Sequence, residues 1–400
     1  MSKRANIKVI TAGIETAYGT PSAVSLPVLA SDIKLTPSVN ETAVRSVLYP
    51  HYGAKPSVTV GEHASCEFSV EIAGSGTPGT PPAWGVLLRA CGFAEIITAG
   101  VMTEYKPVSY SPESVTLRIN MDDIRCEIPG ARGTVSFEYA AKAFPVFKFK
   151  FTGKYVPVTE LPAPAADYSA YRIPVAAGEK GNTSGLSFFG LSGLVVSKLS
   201  ADAGISVVNH QTLTTQDILM TGREMKGSIS MDFPRLSVKN FYSVLSSGET
   251  GALSFLHGKD AGNIIGFSAP KVQLTSAETG ESDNIIQLDA GLSFLPDKEL
   301  ENDDTAYPLS VSLKIKGQPV QAEVSVIYAP VQQWHDYLSG KTNDAAFFGA
   351  VLKSWNISKP DGGILELSAD NIRRVMNNRQ FGLGLFKAYS AFFNGAGQKN

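Results

Sequence analysis

Apolar and polar residues alternate along most of the chain up to Pro296, with the two-residue period of half-buried strands. Val58–Ile72 (VTVGEHASCEFSVEI) puts Cys66, Phe68, Val70 and Ile72 on one face. Ser114–Ile119, Thr134–Tyr139 and Val146–Phe151 repeat the habit. In the last of these, Phe147, Phe149 and Phe151 oppose Val146, Lys148 and Lys150. One helical stretch interrupts: Trp84, Leu87, Leu88 and Cys91 fall at i, i+3, i+4 and i+7, which predicts a helix over Ala83–Phe93. The preceding Gly74–Pro82 (GSGTPGTPP) reads as a loop that holds neither strand nor helix.

The order of events then recurs. Pro157–Pro174 is a Pro/Ala/Ser-rich extended linker. Strand Gly193–Leu199, polar connection Ser200–Thr221, alternating strand Gly222–Phe233 and helix Val238–Ser246 follow. Strands at Ala252–His257, Asn263–Phe267, Lys271–Thr275 and Ile285–Phe294 close the second unit. GEHASCEFSVEI at Gly61 corresponds to GREMKGSISMDF at Gly222, and the helix at Trp84 to that at Val238. This is the pattern of an internally duplicated β unit; two unrelated β domains are the alternative. The connections Ser38–Ser57 and Ser200–Thr221 are long for hairpins.

The acidic run Asp297–Asp304 marks a further boundary. Beyond it, Pro308–Lys316 and Val320–Tyr328 read as a hairpin around Gly317-Gln318-Pro319. Phe347–Trp355 has a helical period, Ser368 is an N-cap for Ala369–Asn377, and Gln380–Phe393 is a helix weakened by Gly382 and Gly384. The expected architecture is mainly β. It comprises a first β-sandwich or roll domain at 1–156, a linker at 157–174, a second such domain at 175–296, and a small, mostly helical domain at 297–400. Each β domain carries one short helix.

Composition narrows the function. Charged residues make up 18% of the chain and the formal net charge is −2, so there is no electrostatic footprint for strong nucleic-acid binding. Cys66, Cys91 and Cys126 are odd in number and unpaired in spacing; Cys66 sits in an alternating strand pattern and Cys91 in an apolar helix, and the cysteines read as small buried hydrophobes. The N-terminal MSKRANIKVITAGIETAYG lacks the sustained apolar core of a signal peptide. No apolar run approaches the ~18 residues that cross a membrane. A reducing cytoplasm is the expected site of synthesis, with no membrane partner.

Candidate chemistry is sparse. There is no phosphate loop, nucleophile elbow, HExxH or CxxC pair. His51, His63, His210, His257 and His335 are dispersed. Asp122-Asp123 fits a solvated turn, and Glu62 and His63 point to opposite strand faces. His257–Asp260 (HGKD) fits a hairpin turn, and Trp334-His335 a helix start. Tyr49–Tyr52 (YPHY) is an aromatic loop without acidic partners. No catalytic, cofactor-binding or metal-binding residue is assigned, and no enzyme activity or cofactor is expected.

Three runs carry a family likeness: ITAGIETAYGTPSA (Ile10–Ala23), Arg45–Phe93 with its AGSG…PAWG.LLRACGF, and IIGFSAPKVQLTSAETGESDNIIQLDAGLSFLP (Ile264–Pro296). Met1–Pro296 resembles the tail tube proteins of long-tailed bacteriophages. The resemblance implies β-sandwich or roll domains whose strands align with those of neighbouring subunits into a β-lined channel, with rings stacked into a virion tail tube. Family rings are hexameric, so two copies per chain imply a trimer. The partners it implies are other copies of the chain, the tape-measure protein, the tail terminator and the baseplate or distal tail proteins. Phage DNA passes through the lumen without specific binding. The long connections are expected to reach the adjacent ring. Phe347–Gly395 resembles phage tail assembly chaperones, which are usually separate chains. The rival readings are another tail morphogenesis protein (a terminator, sheath subunit or assembly chaperone) and a carbohydrate-binding or hydrolytic β module.

Overall fold

The computed structural model describes residues 8–45, 47, 50–55, 57–178, 181–296, 307–315, 318–326, 337, 343–357, 366, 368–376, 385–387 and 389–390. The fold is mainly β. The chain divides into two compact units. One comprises Met1–Pro107 and Pro112–Asp297; the other comprises Val108–Ser111 and Lys298–Asn400.

The first unit begins with β1 (Lys8–Ile14), β2 (Leu26–Val28), β3 (Ser31–Val44), β4 (Ser57–Glu71) and α1 (Gly85–Arg89). The hairpin β5 (Phe93–Thr98) and β6 (Met102–Pro107) follows, then β7 (Val115–Met121), β8 (Ile124–Ala140), β9 (Val146–Lys154) and β10 (Thr159–Glu160). Its later part holds β11 (Thr183–Phe188), β12 (Leu191–Ser192), β13 (Val196–Asp202), the hairpin β14 (Ile205–Gln211) and β15 (Gln216–Arg223), and β16 (Lys226–Asp232). It closes with α2 (Phe241–Ser247), β17 (Thr250–His257), β18 (Ile265–Ser282) and β19 (Ile285–Phe294).

Fifteen of these strands form one antiparallel sheet in which a single order occurs twice. The earlier part runs β2-β1-β7-β8-β9-β4-β3, and the later part β12-β11-β17-β18-β19-β16-β13. The long strand of each part makes this possible. β8 pairs β7 through Ile124–Ala131 and β9 through Arg132–Glu138. β18 likewise pairs β17 through Ile265–Gln273 and β19 through Val272–Ser282. Each long strand therefore belongs to two layers, whose inner faces share a core.

Alternation decides what that core contains. Phe147, Phe149 and Phe151 on β9 face inward with Cys66, Phe68 and Val70 on β4, while Lys148 and Lys150 are exposed. In the later part Leu288, Ala290 and Leu292 on β19 take the same places beside Ile229 and Met231 on β16. One hydrophobic cluster contains residues of both parts. Burying a side chain of this size contributes about 1.5–3 kcal/mol.

Several elements depart from the sequence expectation. The helix expected over Ala83–Phe93 is only five residues long. Gly92 turns to φ +71° and Phe93 enters β5, while the Gly133 N–H takes the Ala90 carbonyl. The expected polar connection Ser200–Thr221 contains the end of β13 and most of the β14–β15 hairpin. Of Ser38–Ser57, the Ser38–Val44 part continues β3, and Val44 lies opposite Ser57 at the start of β4. The described residues of Ser38–Ser57 are mostly exposed, whereas Ala201–His210 alternates between more and less buried positions. Asn263–Phe267 and Lys271–Thr275 merge into β18, with Pro270 at a register shift where no ladder donor is needed. The linker is irregular apart from β10, which pairs the start of β8.

In the second unit β20 (Tyr307–Ile315), β21 (Gln318–Val326) and β22 (Leu352–Trp355) form an antiparallel sheet beside α3 (Asp344–Val351) and α4 (Ala369–Met376). The expected hairpin is present. The helix expected over Phe347–Trp355 stops at Val351, and Leu352–Trp355 pairs β21 instead. Phe347, Phe348, Val351, Leu352 and Trp355 are all buried in either form, which is why a short apolar run could not separate the two. Ser368 accepts from the Asn371 N–H at 3.4 Å as the expected cap. Leu385–Lys387 and Tyr389–Ser390 are helical; the rest of Gln380–Phe393, like the acidic run Asp297–Asp304, lies outside the described residues.

Candidate functional site

Among the described residues, the residue types that carry catalysis do not converge. Cys66, Cys91 and Cys126 are buried. Burial pushes the Cys66 thiol up to about 12, the Cys126 thiol up to about 11, and the Cys91 thiol well above its ordinary value, so they are not thiolates near neutrality. His257 is buried; its Nε2–H donates to the Val175 carbonyl at 2.8 Å and its Nδ1 faces the Thr183 hydroxyl at 3.2 Å. His63 reaches Asn209 at 3.5 Å on the opposite face from Glu62, while His51, Tyr52 and His210 are exposed. Asp122-Asp123 forms the β7–β8 turn, with Asp122 at φ +57°. Tyr49, Trp334 and His335 lie outside the described residues. Among the described residues no His, Cys, Asp or Glu group has metal-binding geometry, and no helix is long and apolar enough to cross a membrane.

The turn after β1 gathers the first family-like run around one carboxylate. Glu15 is buried and accepts four hydrogen bonds. They come from the Gly19 N–H (2.8 Å), the Ser114 hydroxyl (2.6 Å), the Thr116 hydroxyl (2.7 Å) and the Gly130 N–H (2.7 Å). Gly19 holds φ +72°, which suits glycine. Tyr18 leaves this turn between two cations, Arg132 at 4.7 Å and Lys154 at 4.6 Å from its ring centre.

Tyr18 thereby clamps the β14–β15 arm. Its hydroxyl accepts from the Ile218 N–H at 2.5 Å. Arg132 donates to the Ile218 carbonyl at 2.9 Å, and Lys154 pairs with Asp217 at 3.1 Å. Gln216 donates to the Glu62 carbonyl and to Asn209. An arm of the later part is thus fixed onto β4, β8 and β9 of the earlier one. Its tip stays exposed, as do Val58 and Val60 on the distal β3–β4 arm.

The two strand sets join edge to edge. Ser136–Ala140 of β8 pairs antiparallel with Lys198–Asp202 of β13. On the inner face Phe137 meets Phe267, and Tyr139 meets Phe255 and His257. On the outer face Glu138 bridges Lys198 and Lys148, each at 2.9 Å, and these two lysines hold its carboxyl below the usual range. Gly74–Pro82 closes the seam, with Gly74 N–H donating to Asn263 Oδ1 at 2.6 Å and Gly76 N–H to the Gly262 carbonyl at 2.9 Å. A Cβ on Gly74 would lie 2.2 Å from that same carbonyl, so the glycine serves close backbone approach.

The outer face of the joined sheet is polar and charge-paired. Lys150 meets Glu67 at 3.1 Å, and the Glu138 bridge adds Lys148 and Lys198. Ser65, Ser69, Thr134, Ser136, Ser200, Ser228 and Ser230 fill the positions between. Such a surface offers phosphate no run of unneutralised cations.

The site is thus a surface rather than a pocket: an extended sheet with a polar face, two protruding arms and a built-in edge-to-edge junction. No curated protein matches the chain. A family model for phage tail tube proteins matches residues 5–296, which span both strand sets, the junction and both arms. The chain belongs to the phage tail tube protein family.

Proposed function

We propose that this tail tube subunit carries two copies of one tube domain and that three chains close into a pseudo-hexameric ring, rings stacking into the DNA conduit. The observation that carries this reading is the repeated strand order joined by the β8–β13 ladder. Among the described residues, the equivalent positions at the two ends of the set, β3 and the Ser276–Ser282 part of β18, have no strand beyond them. Identical rotation from copy to copy makes a heterologous contact, which closes into a ring. An exposed edge otherwise invites uncontrolled pairing.

In this reading the charge-paired face lines the lumen, where phosphate slides without being held. The β3–β4 and β14–β15 arms reach the neighbouring ring through exposed Val58, Val60 and Leu213. The role is structural, with no catalysis and no cofactor. The subunit assembles in the host cytoplasm on the tape-measure protein, between the terminator and the distal tail proteins. The unit from Lys298 onward acts as a chaperone-like or decorating appendage; its Tyr337, Phe347, Phe348, Phe386 and Tyr389 cluster supports an ordered core there.

Negative-stain microscopy with mass photometry tests the reading. Hollow tubes, or rings of three chains, are expected; rings of six chains overturn the two-copy assignment, and a monomer at high concentration for both the full chain and a variant ending at Pro296 overturns the tube role.

A further inference from the structure

The internal junction specifies the residue register of the contact between chains. The ladders establish which positions are equivalent. On β4 and β9, Cys66, Phe68 and Val70 face Phe151, Phe149 and Phe147; on β16 and β19, Gly227, Ile229 and Met231 face Leu292, Ala290 and Leu288. Leu35 lies beside Cys66, and Ala201 beside Gly227, so Leu35 of β3 stands where Ala201 of β13 stands. Phe137 lies beside Phe147, and Thr279 beside Leu288, so Thr279 of β18 stands where Phe137 of β8 stands. Within the chain, Ala201 is the partner of Phe137.

We propose that β3 of one chain pairs antiparallel with β18 of a second copy, with Leu35 opposite Thr279, Thr36 opposite Glu278 and Lys34 opposite Gly280. The proposal rests on the ring reading above and adds its register.

Two features of the waiting edge fit this partner. The first is electrostatic. Gly280 takes the place of Glu138, the carboxylate that binds the junction inside the chain. The missing side chain leaves room into which Asp289 leans: a Cβ on Gly280 would lie 2.3 Å from Asp289 Oδ2. The register therefore brings exposed Lys34 beside Asp289 and exposed Glu278, restoring a lysine–carboxylate bridge with the charges moved one strand over. The second is apolar. Thr279 is one wall of a shallow groove with Phe233, Leu236, Ile285 and Ile286, of which Leu236, Ile285 and Ile286 are strongly exposed. The register sets Leu35 of the chain that contributes β3 against that wall of the other copy.

Paired cysteines test the register in the full chain, whose three native cysteines are buried. Assembled Thr36→Cys/Glu278→Cys protein should cross-link on mild oxidation into a ladder that ends at the covalent trimer. Thr36→Cys with Gly280→Cys, one same-face step out of register, should cross-link at least tenfold less. Lys34→Glu should weaken assembly, and adding Glu278→Lys should restore it. If wild-type protein forms tubes but the slipped pair links better, or neither pair links, the register is wrong while the tube reading stands. Wild-type protein that forms neither rings nor tubes overturns both.

Discussion

Glu15 shows how one side chain can fix a family motif. Four donors converge on a carboxylate shielded from water, so removing it strands two hydroxyls and two amides. Leaving buried donors unsatisfied costs about 1–3 kcal/mol each, and Glu15→Ala should lose about 3 kcal/mol or more in urea unfolding, with Glu15→Gln intermediate. Glu138 makes a different prediction. Lys198 and Lys148 depress its pKa in the folded state. The stabilisation is therefore complete above the ordinary carboxylate value and lost as pH falls through the depressed one. Glu138→Gln should lower the melting temperature at neutral pH and leave the acid end little changed, so that the acid limb of the profile flattens; a profile identical to wild type would refute the bridge. Alternation identified the inward aromatics of β9 and the buried cysteine of β4 from sequence alone. It could not reveal Glu15, because a lone glutamate in a polar turn looks solvated until Ser114, Thr116 and Gly130 arrive from distant strands.

At the scale of elements, the strands with one buried face were legible, and Ile285–Phe294 was read to the residue. Of the arms, β4 was legible as the Val58–Ile72 strand, whereas the β3 extension and most of the β14–β15 hairpin fell in stretches read as long connections. The Tyr18 clamp was equally hidden, since Tyr18 and Ile218 are 200 positions apart. Tyr18→Ala should free the β14–β15 arm and raise hydrogen exchange at the Ile218 amide by about tenfold or more, while the core strands keep their protection. Unchanged exchange there would mean that the arm is held by its other contacts. The seam loop makes the converse point: Gly74→Ala forces a methyl against backbone, and should cost about 2 kcal/mol and disturb exchange along β8 and β13.

At the scale of the whole molecule, low charge and the absence of converging chemistry pointed to a structural part, and the family match over residues 5–296 agrees. Formal charge alone could not show that the cations of the outer face are partnered. That arrangement predicts that assembled wild-type protein leaves duplex DNA unretained at physiological salt. The combined Glu67→Gln and Glu138→Gln variant releases Lys148, Lys150 and Lys198 and should retain DNA at low salt, with binding that weakens steeply as salt rises. Equal retention by both proteins would remove the charge-pairing argument.

The β8–β13 seam also bears on how tube growth begins. Covalent connection makes that contact unimolecular, at an effective concentration that free subunits do not reach in a cell. Fewer separate chains must then meet to complete a nucleus, which lowers the reaction order of initiation. The tether also lets the two seams specialise. The permanent one bears Phe137 and Tyr139, never presented to solvent as a bare edge, whereas in the proposed register the corresponding positions of the open edge are Thr279 and Glu281. On the two-copy reading proposed above, joining the copies in one chain speeds the start of polymerisation.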